Sequence, residues 1–342
     1  MTKLLFDRGP EHEPILWSTR PRPDRERWRS VLTILAICML LALLMPGIAA
    51  LTHIDHRWVD ILAQFPAPAL AATLLLVIAS AALRLWPAMI TGALVALLLA
   101  VAVWPQAFAD RGVARPGAPV VTLYSANLFF ENPDASRIRA SIEDANPDII
   151  VLVETSRQVI ERLDGVLAGY PYRIVASEDS LGRTDRTVIA SRYPVRREGQ
   201  IGSAVTYVRA VVDTPLGPLQ VIGAHLTRPW PYQIEWEQIR QALAVKSLLV
   251  EAKGPTVVAG DFNSVSSARI GRLLRKEAGL RANPGWPGTW PARLPAVAGI
   301  TIDQVYRTPD LAVVSRRVGQ RTGSDHRPVV TKLTLSEVAS KG

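Results

Sequence analysis

The stretch PTVVAGDFNS, residues 255–264, is a short apolar run followed by a glycine, an acid, a phenylalanine and an amide. The apolar run predicts a buried β-strand, and Gly260 predicts a place where the backbone turns or is closely approached. Because side chains alternate along a strand, Asp261 and Asn263 are expected to point the same way. A plain turn is the alternative, since Asp, Asn and Ser all favour turns. The patterns in the rest of the chain bear on the choice between a strand end and a plain turn.

Apolar strand patterns alternate with helical patterns from residue 120 to residue 335, which predicts an α/β domain. The predicted strands are 120–126, 148–153, 188–191, 204–213, 219–225, 256–260, 302–306 and 329–335, and the predicted helices are 135–145 and 232–251. Polar residues stand at or near several strand ends: Asn127, Glu154, His225, Asp261, Asp303, Asp325 and His326. Such ends from different segments predict loops gathered at one rim of a β scaffold, where binding sites form.

The residue types at this rim indicate a hard metal ion. Carboxylate and amide oxygens suit Mg²⁺ or Mn²⁺, whereas zinc usually requires more His or Cys. We therefore expect Asn127, Glu154 and Asp325 to be metal ligands. The bound ion would polarise a phosphate oxygen and offset its developing negative charge.

The remaining rim residues are expected to bind the phosphate and to move a proton. His225, Asn263 and a protonated His326 are suited to donate hydrogen bonds to a phosphate. Asp261 is suited to take a proton from an attacking water or to orient that water. Asp303 is expected to fix the tautomer of His326. Taken singly, each residue also has a purely structural explanation, such as a histidine at a strand end.

Six motifs resemble, in their order along residues 119–335, the endonuclease/exonuclease/phosphatase superfamily: SANLFFEN, VLVET, GAHLT, GDFNS, TIDQVY and GSDHRPV. The resemblance implies a four-layered α/β sandwich, in which helices flank two packed β-sheets. It also implies a Mg²⁺-dependent phosphoester hydrolase with the residue roles given above, and no obligate protein partner. One departure is that Phe129 and Phe130 follow Asn127 where repair nucleases have an acid. This leaves the number of metals open.

The first third of the chain contains three runs without a charged residue, at 31–51, 67–83 and 85–104. Each is close to the ~20 residues that cross a bilayer, so they predict three transmembrane helices. Buried helices of a soluble protein and, for the first run, a cleaved signal peptide are the alternatives. The predicted organisation is a basic cytoplasmic tail (1–30), three spans (31–104), a linker (105–118), a catalytic domain (119–335) and a short tail (336–342).

Charge and cysteine content restrict the function further. Arginines before the first span, and Arg84 between the second and third, place both segments in the cytoplasm and the catalytic domain on the opposite side, as in a bacterial inner-membrane protein. The net charge of +9 suits phosphates or an anionic membrane surface. Cys38, the one cysteine, excludes an internal disulfide and a CxxC metal site.

These features predict a membrane-anchored phosphoesterase that hydrolyses a phosphodiester or phosphomonoester. A phospholipid or a small phosphoester is the expected substrate. Two alternatives stay open: a DNA or RNA nuclease on the same anchor, and a catalytically silent domain that binds a phosphate ligand or a protein partner.

Overall fold

The strands of the second two-thirds of the chain form two mixed sheets of six strands each. The computed structural model describes residues 23–176, 186–198, 206–229, 235–250, 252 and 254–337. The first four strands are β1 (Val121–Asn127), β2 (Ile149–Thr155), β3 (Tyr172–Val175) and β4 (Arg186–Ser191). The next four are β5 (Val195–Arg197), β6 (Thr206–Thr214), β7 (Gly217–His225) and β8 (Thr256–Asp261). The last four are β9 (Arg281–Ala282), β10 (Asp303–Arg307), β11 (Leu311–Val318) and β12 (Val329–Leu335).

The strand order is β11-β12-β1-β2-β4-β3 in the first sheet and β5-β6-β7-β8-β10-β9 in the second. β1 runs parallel to β2, and β7 runs parallel to β8, while the other paired neighbours are antiparallel. Each sheet therefore contains one central parallel pair, and the carboxyl ends of such a pair lie at the same edge. The positions of the candidate catalytic residues follow from this arrangement of strands.

The two sheets pack face to face through alternate strand residues. Leu123 of β1 and Val151 of β2 contribute to the core that contains Val221 of β7 and Val257 of β8. The neighbouring residue Tyr124 lies in the cluster on the opposite face of the first sheet. This alternation follows from the two-residue period of a strand, and here both faces are covered.

Helices cover the outer face of each sheet. The first sheet is covered by α5 (Ala135–Ala145), α6 (Arg157–Glu161) and α7 (Leu163–Val166), and the second by α8 (Glu235–Val250) and α9 (Arg269–Ala278). Helix α5 presents Ile138 and Ile142 to the first sheet, and α9 presents Ile270 and Leu274 to the second, in both cases one helical turn apart. The predicted α/β fold of two packed sheets flanked by helices is confirmed.

The first third of the chain is a helical bundle. It consists of α1 (Pro23–Thr52), the short α2 (Arg57–Leu62), α3 (Pro66–Ala82) and α4 (Trp86–Ala107). Helices α1, α3 and α4 pack on one another. Among the described residues, two helices are long and apolar enough to cross a membrane, 25–52 and 86–107, whereas α3, at 17 residues, is shorter. Of the three predicted spans, two therefore meet the length that a membrane crossing requires.

Several elements differ from the sequence prediction. Four short or edge strands, β3, β5, β9 and β11, and four α-helices, α2, α6, α7 and α9, were not predicted. Residues 204, 205, 232–234 and 251, which fall in predicted elements, lie outside the described residues. Helix α4 extends through Pro105 to Ala107, into the predicted linker. The segment that follows is hydrogen-bonded to the domain: Arg111 O accepts from Val313 N, and Arg115 N donates to Leu335 O.

Candidate active site

The two parallel strand pairs bring the predicted residues to one rim. Asn127 ends β1, and the neighbouring parallel strand β2 carries Glu154 near its end. In the second sheet, His225 at the end of β7 is paired with Asp261 at the end of β8. The antiparallel strand β10 begins at the same edge, where Asp303 is paired with Asp261. Two sheets thus contribute to one cluster.

Asn127 lies at the centre of this cluster and bridges the two sheets. Its side-chain amide donates to Glu154 Oε1 at 2.8 Å and to Asp261 Oδ2 at 3.0 Å. Its carbonyl oxygen accepts from the backbone N–H of Phe129 at 2.9 Å. Because Asn127 and Asp261 are only 2% and 1% exposed, the hydrogen bond between them is shielded from water.

Glu154 is held in its charged form by its neighbours. His225 Nε2 lies 3.1 Å from Glu154 Oε1. Burial works to raise the pKa of Glu154, but the hydrogen bond and charge of His225 and the amide of Asn127 outweigh burial and lower that pKa to about 2. Glu154 also has a φ of 50°, which is uncommon for a residue other than glycine. The backbone is therefore turned to direct this carboxylate into the site.

His326 and Asp303 form a second buried pair beside Asp261. His326 Nδ1 lies 2.9 Å from Asp303 Oδ2, and His326 Nε2 lies 3.9 Å from Asp261 Oδ2. Burial would lower the pKa of His326, but the charges of Asp303 and Asp261 raise it well above its usual value. Burial, together with the charge of Asp303, raises the pKa of Asp261, although His326 opposes that rise. The arrangement fixes the histidine ring with Nε2 turned towards the site.

The GDFNS stretch is both a strand end and a turn. β8 ends at Asp261, and Asn263 follows with a φ of 47°. The backbone N–H of Asn263 donates to Asp261 Oδ1 at 2.7 Å, as in an Asx turn, and its side-chain amide donates to Leu226 O at 2.8 Å. The expected strand alternation therefore stops at Asp261. The turn itself brings the two side chains together, with Asn263 Nδ2 3.3 Å from Asp261 Oδ2.

Asp325 occupies the edge of the site. Its side chain is 54% exposed, and its Oδ1 lies 3.9 Å from His326 Nε2. The indole N–H of Trp290 donates to the other carboxylate oxygen at 3.2 Å. Asp325 is thus much more accessible than Asp261 and Asp303. The hydrogen bond from Trp290 thus positions this carboxylate at the edge of the site.

Three supporting residues were not found from the sequence. Thr289 Oγ1 accepts from the backbone N–H of Asp303 at 3.3 Å, and Ser324 Oγ accepts from that of His326 at 3.0 Å. Arg316 donates to Pro287 O, and the charge of Asp303 opposes the lowering of the Arg316 pKa by burial. Arg316 lies on β11, which was not predicted. The local sequence around these residues carries no signal for contacts that depend on the packing of distant segments.

Two groups of ionisable side chains have the geometry to hold a metal. Among the described residues, they are Glu154, His225 and Asp261, and Asp261, Asp303 and His326, with the ligand atoms of each group within 4.8 Å of one another. Carboxylate oxygens drawn this close are suited to a hard divalent cation. Asp325 belongs to neither group. The amide nitrogen of Asn127 faces the first group, and exchanging the amide oxygen and nitrogen would turn an oxygen towards it.

Comparisons with known proteins match the part of the chain that carries this site. Residues 124–326 match the model of the Endonuclease/Exonuclease/phosphatase family, and that range includes all eight predicted site residues. Two solved structures with this fold are an endonuclease/exonuclease/phosphatase from Beutenbergia cavernae and a family protein from Bacteroides thetaiotaomicron. The first has a TM-score of 0.50 and 22% identity, covering 64% of this chain and 72% of that one. The second has a TM-score of 0.52 and 16% identity, covering 64% and 98%.

A curated relative matches a shorter part of the chain. The UPF0294 protein VP2298 of Vibrio parahaemolyticus is 33% identical over 103 residues, which are 30% of this chain and 35% of the relative. The chain therefore spans about a third of the length of this relative. The family match covers more than half of the chain, and the two packed sheets agree with it. The chain belongs to the endonuclease/exonuclease/phosphatase family.

Proposed function

We propose that this protein is a membrane-anchored, divalent-metal-dependent phosphoesterase. The observation that carries the proposal is the convergence of two sheets on one rim, where Asn127 bridges Glu154 and Asp261. His225 and the His326–Asp303 pair stand beside these residues. Three carboxylates and two histidines from two sheets thus converge on one rim, a donor set suited to a divalent cation and a phosphate. This convergence favours a catalytic domain over a silent one.

The residues fit a hard metal such as Mg²⁺ or Mn²⁺. Glu154 and Asn127 would be its ligands, and Asp325 would lie beside it at the accessible edge. When bound, the metal would polarise a phosphate oxygen and offset the negative charge that develops on it. The lowered pKa of Glu154 supports this role, since it keeps the carboxylate charged at neutral pH without any metal.

The remaining residues would bind the phosphate and handle the water. Asp261 would orient the attacking water and take a proton from it, since its carboxylate is fixed by Asn127 and by the backbone of Asn263. Asn263 and His225 would donate hydrogen bonds to the phosphate. His326 would present Nε2 to the phosphate or the leaving oxygen, because Asp303 holds Nδ1.

We also propose that α1, α3 and α4 all cross the membrane. Large apolar side chains on all three helices point away from the bundle: Leu35 is 55% exposed, Leu75 69% and Leu97 65%. Arg29 Nη2 donates to Arg84 O at one end of the bundle, and Gln106, at the other end, contacts the catalytic domain. Three crossings would account for this arrangement, and the arginine bias favours a catalytic domain outside the cytoplasm.

The position of the site favours a phosphoester carried by the membrane. Val265 N donates to Gln64 Oε1 at 2.7 Å, and α3 begins two residues later, at Pro66. Asn263 is two residues from Val265, so their Cα atoms are at most about 7 Å apart. Each headgroup layer of a bilayer is roughly 5–8 Å thick. A phospholipid headgroup would therefore be within reach of the site.

A hydrolysis assay of the full chain in lipid nanodiscs tests this function. The substrates are phospholipids in vesicles, plasmid DNA, RNA and sugar phosphates, each with Mg²⁺, with Mn²⁺ or with EDTA. We expect metal-dependent cleavage of a phospholipid, and about 10²-fold or more lower turnover in Asp261→Asn. Cleavage of DNA that falls steeply with added salt, without any headgroup release, would instead identify a nuclease. Turnover of Asp261→Asn at the wild-type rate would refute the proposed role of Asp261.

A further inference from the structure

The segment between α1 and α3 lies against the catalytic domain. We call this segment, residues 53–65, the connector; it includes α2. Asp60 and Gln64 of the connector are 6% and 5% exposed, although the connector links two apolar helices. Buried polar side chains in such a link require specific partners. Their partners are in the loops that carry the candidate catalytic residues.

The connector completes the hydrogen bonding of the loop after GDFNS. Helix α9 has no side-chain cap of its own, because Ala268 occupies its N-cap position. Asp60 Oδ1 accepts the N–H of Arg269 at 2.9 Å and so caps α9 from a position 209 residues earlier in the chain. Gln64 Oε1 accepts the N–H of Val265, two residues after Asn263.

The connector also contacts the loop that follows His225. Arg57 Nε donates to Pro229 O at 2.9 Å. The two site loops are joined to each other as well, because Leu226 N donates to Asp261 O at 2.9 Å and Asn263 donates to Leu226 O. A displacement of the connector would therefore act on both loops together.

Further contacts fix the connector and the bundle on α9 and the residues before it. Asp55 Oδ1 lies 3.3 Å from Arg272 Nη2, and Arg272 also donates to Ser267 O. Gln106, at the end of α4, donates to Ser267 Oγ at 2.6 Å. Residues 265–272 thus rest on the connector and on the last turn of α4.

We propose that the connector is a positioning element of the active site, with Asp60 and Gln64 as its positioning residues. This rests on the proposed function. Neither residue touches the candidate metal or phosphate groups; both act through the backbone that fixes Asn263 and Asp261. A misplacement of about 1 Å in a reacting group lowers turnover by up to about 10²-fold. Turnover is consequently tied to the placement of the membrane bundle.

Matched variants of the full chain in nanodiscs separate positioning from stability. Asp60→Leu removes the cap of α9, whereas Asp60→Asn retains an oxygen that accepts from Arg269 N. Ser141→Ala is the stability control, because Ser141 is buried on α5 and bonds Tyr124 and Gln320 on the outer face of the first sheet. Gln64→Leu serves as a second variant if Asp60→Leu does not fold.

Three measurements are made on each variant. The first is kcat and KM for bis(p-nitrophenyl) phosphate with Mn²⁺, the second is hydrogen exchange of the peptide that covers residues 262–270, and the third is the thermal unfolding midpoint. We expect Asp60→Leu and Gln64→Leu to lower kcat by about 10-fold to 10²-fold with KM changed by less than about 3-fold. They should also speed exchange in this peptide. Asp60→Asn should restore both values, and Ser141→Ala should lower the thermal midpoint without changing either.

Hydrogen exchange keeps the two proposals separable. If wild-type protein does not hydrolyse the probe, the proposed function loses support, while faster exchange at 262–270 in Asp60→Leu and Gln64→Leu still supports the positioning contact. Wild-type kcat and unchanged exchange in both variants would overturn the inference. An equal loss of kcat in Ser141→Ala would overturn it too, because the effect would then be one of general stability.

Discussion

The rim of the two sheets and the bundle of α1, α3 and α4 place their side chains in opposite ways. At the rim, Asn127, Asp261 and Asp303 are polar and at most 2% exposed. In the bundle, Leu75 and Leu97 are apolar and 69% and 65% exposed. In a protein surrounded only by water, both arrangements would raise the free energy of the folded chain. The rim removes charged groups from water, and the bundle exposes apolar surface to it. Under the proposed function, this difference has a physical reason: the rim would bind a cation and a phosphate, and lipid would surround the bundle.

The largest effect on stability is expected at Gly260, where the backbones of two neighbouring strands of the rim lie close together. Gly260 has a φ of +143°, and a Cβ atom there would lie 1.9 Å from Ala224 O on the neighbouring strand. Gly260→Ala should therefore separate β7 from β8 and destabilise the fold by about 4 kcal/mol or more. Thermal unfolding of the full chain in detergent measures this loss.

Gly217→Ala is the matched control for that variant. Gly217 also has a positive φ, +92°, but a Cβ atom there would meet nothing within 4 Å. Its replacement should cost only the strain of a left-handed residue, about 1 kcal/mol. Equal losses in the two variants would show that the close approach at Gly260 does not determine the structure of the rim.

The central strands of the fold could be predicted because their signal is local. β1, β8 and β12 are apolar runs bounded by polar or turn residues, and the observed strands lie within one residue of the predicted limits. β11 was missed because its second half, SRRV, is polar and partly exposed. Helix α9 was missed because its cap, Asp60, comes from another part of the chain.

The candidate site could be predicted as a set of residues, but its geometry could not. The order of the motifs identified Asn127, Glu154 and Asp261, while their hydrogen bonds depend on the packing of two sheets. The same limit applies to the contact between Trp290 and Asp325, which are 35 residues apart. Gln64 lies 201 residues from Val265, so no local pattern could have indicated the link between the bundle and the site.

The next largest effect, after that of Gly260→Ala, tests whether lipid surrounds the bundle of α1, α3 and α4. Leu75 lies near the middle of α3, and Lys at the centre of a membrane helix costs about 3 kcal/mol relative to Leu. Leu75→Lys should therefore lower the fraction of the full chain that remains in membranes after an alkaline carbonate wash. Leu243→Lys is the control, because Leu243 is 41% exposed on α8 of the catalytic domain and its replacement should cost within about 0.5 kcal/mol. If both variants stay in the membrane as well as the wild type does, Leu75 does not face lipid.

The smallest effect concerns the charge of Glu154 without metal. Its pKa is lowered from 4.5 to about 2 in the folded chain. The carboxylate thus stabilises the fold above its unfolded pKa, and this contribution is lost as the pH falls towards the folded pKa. Between about pH 5 and about pH 3.5 the loss should be roughly 1 kcal/mol.

Other carboxylates contribute to acid unfolding as well, so the informative quantity is the difference between wild type and Glu154→Gln, both measured in EDTA by thermal unfolding in detergent. The wild type should lose more stability over this interval, because glutamine has no charge to lose. Parallel pH dependence in the two proteins would mean that His225 and Asn127 do not hold Glu154 in its charged form, and the rim would then lack the preformed anionic ligand that the proposed metal site requires.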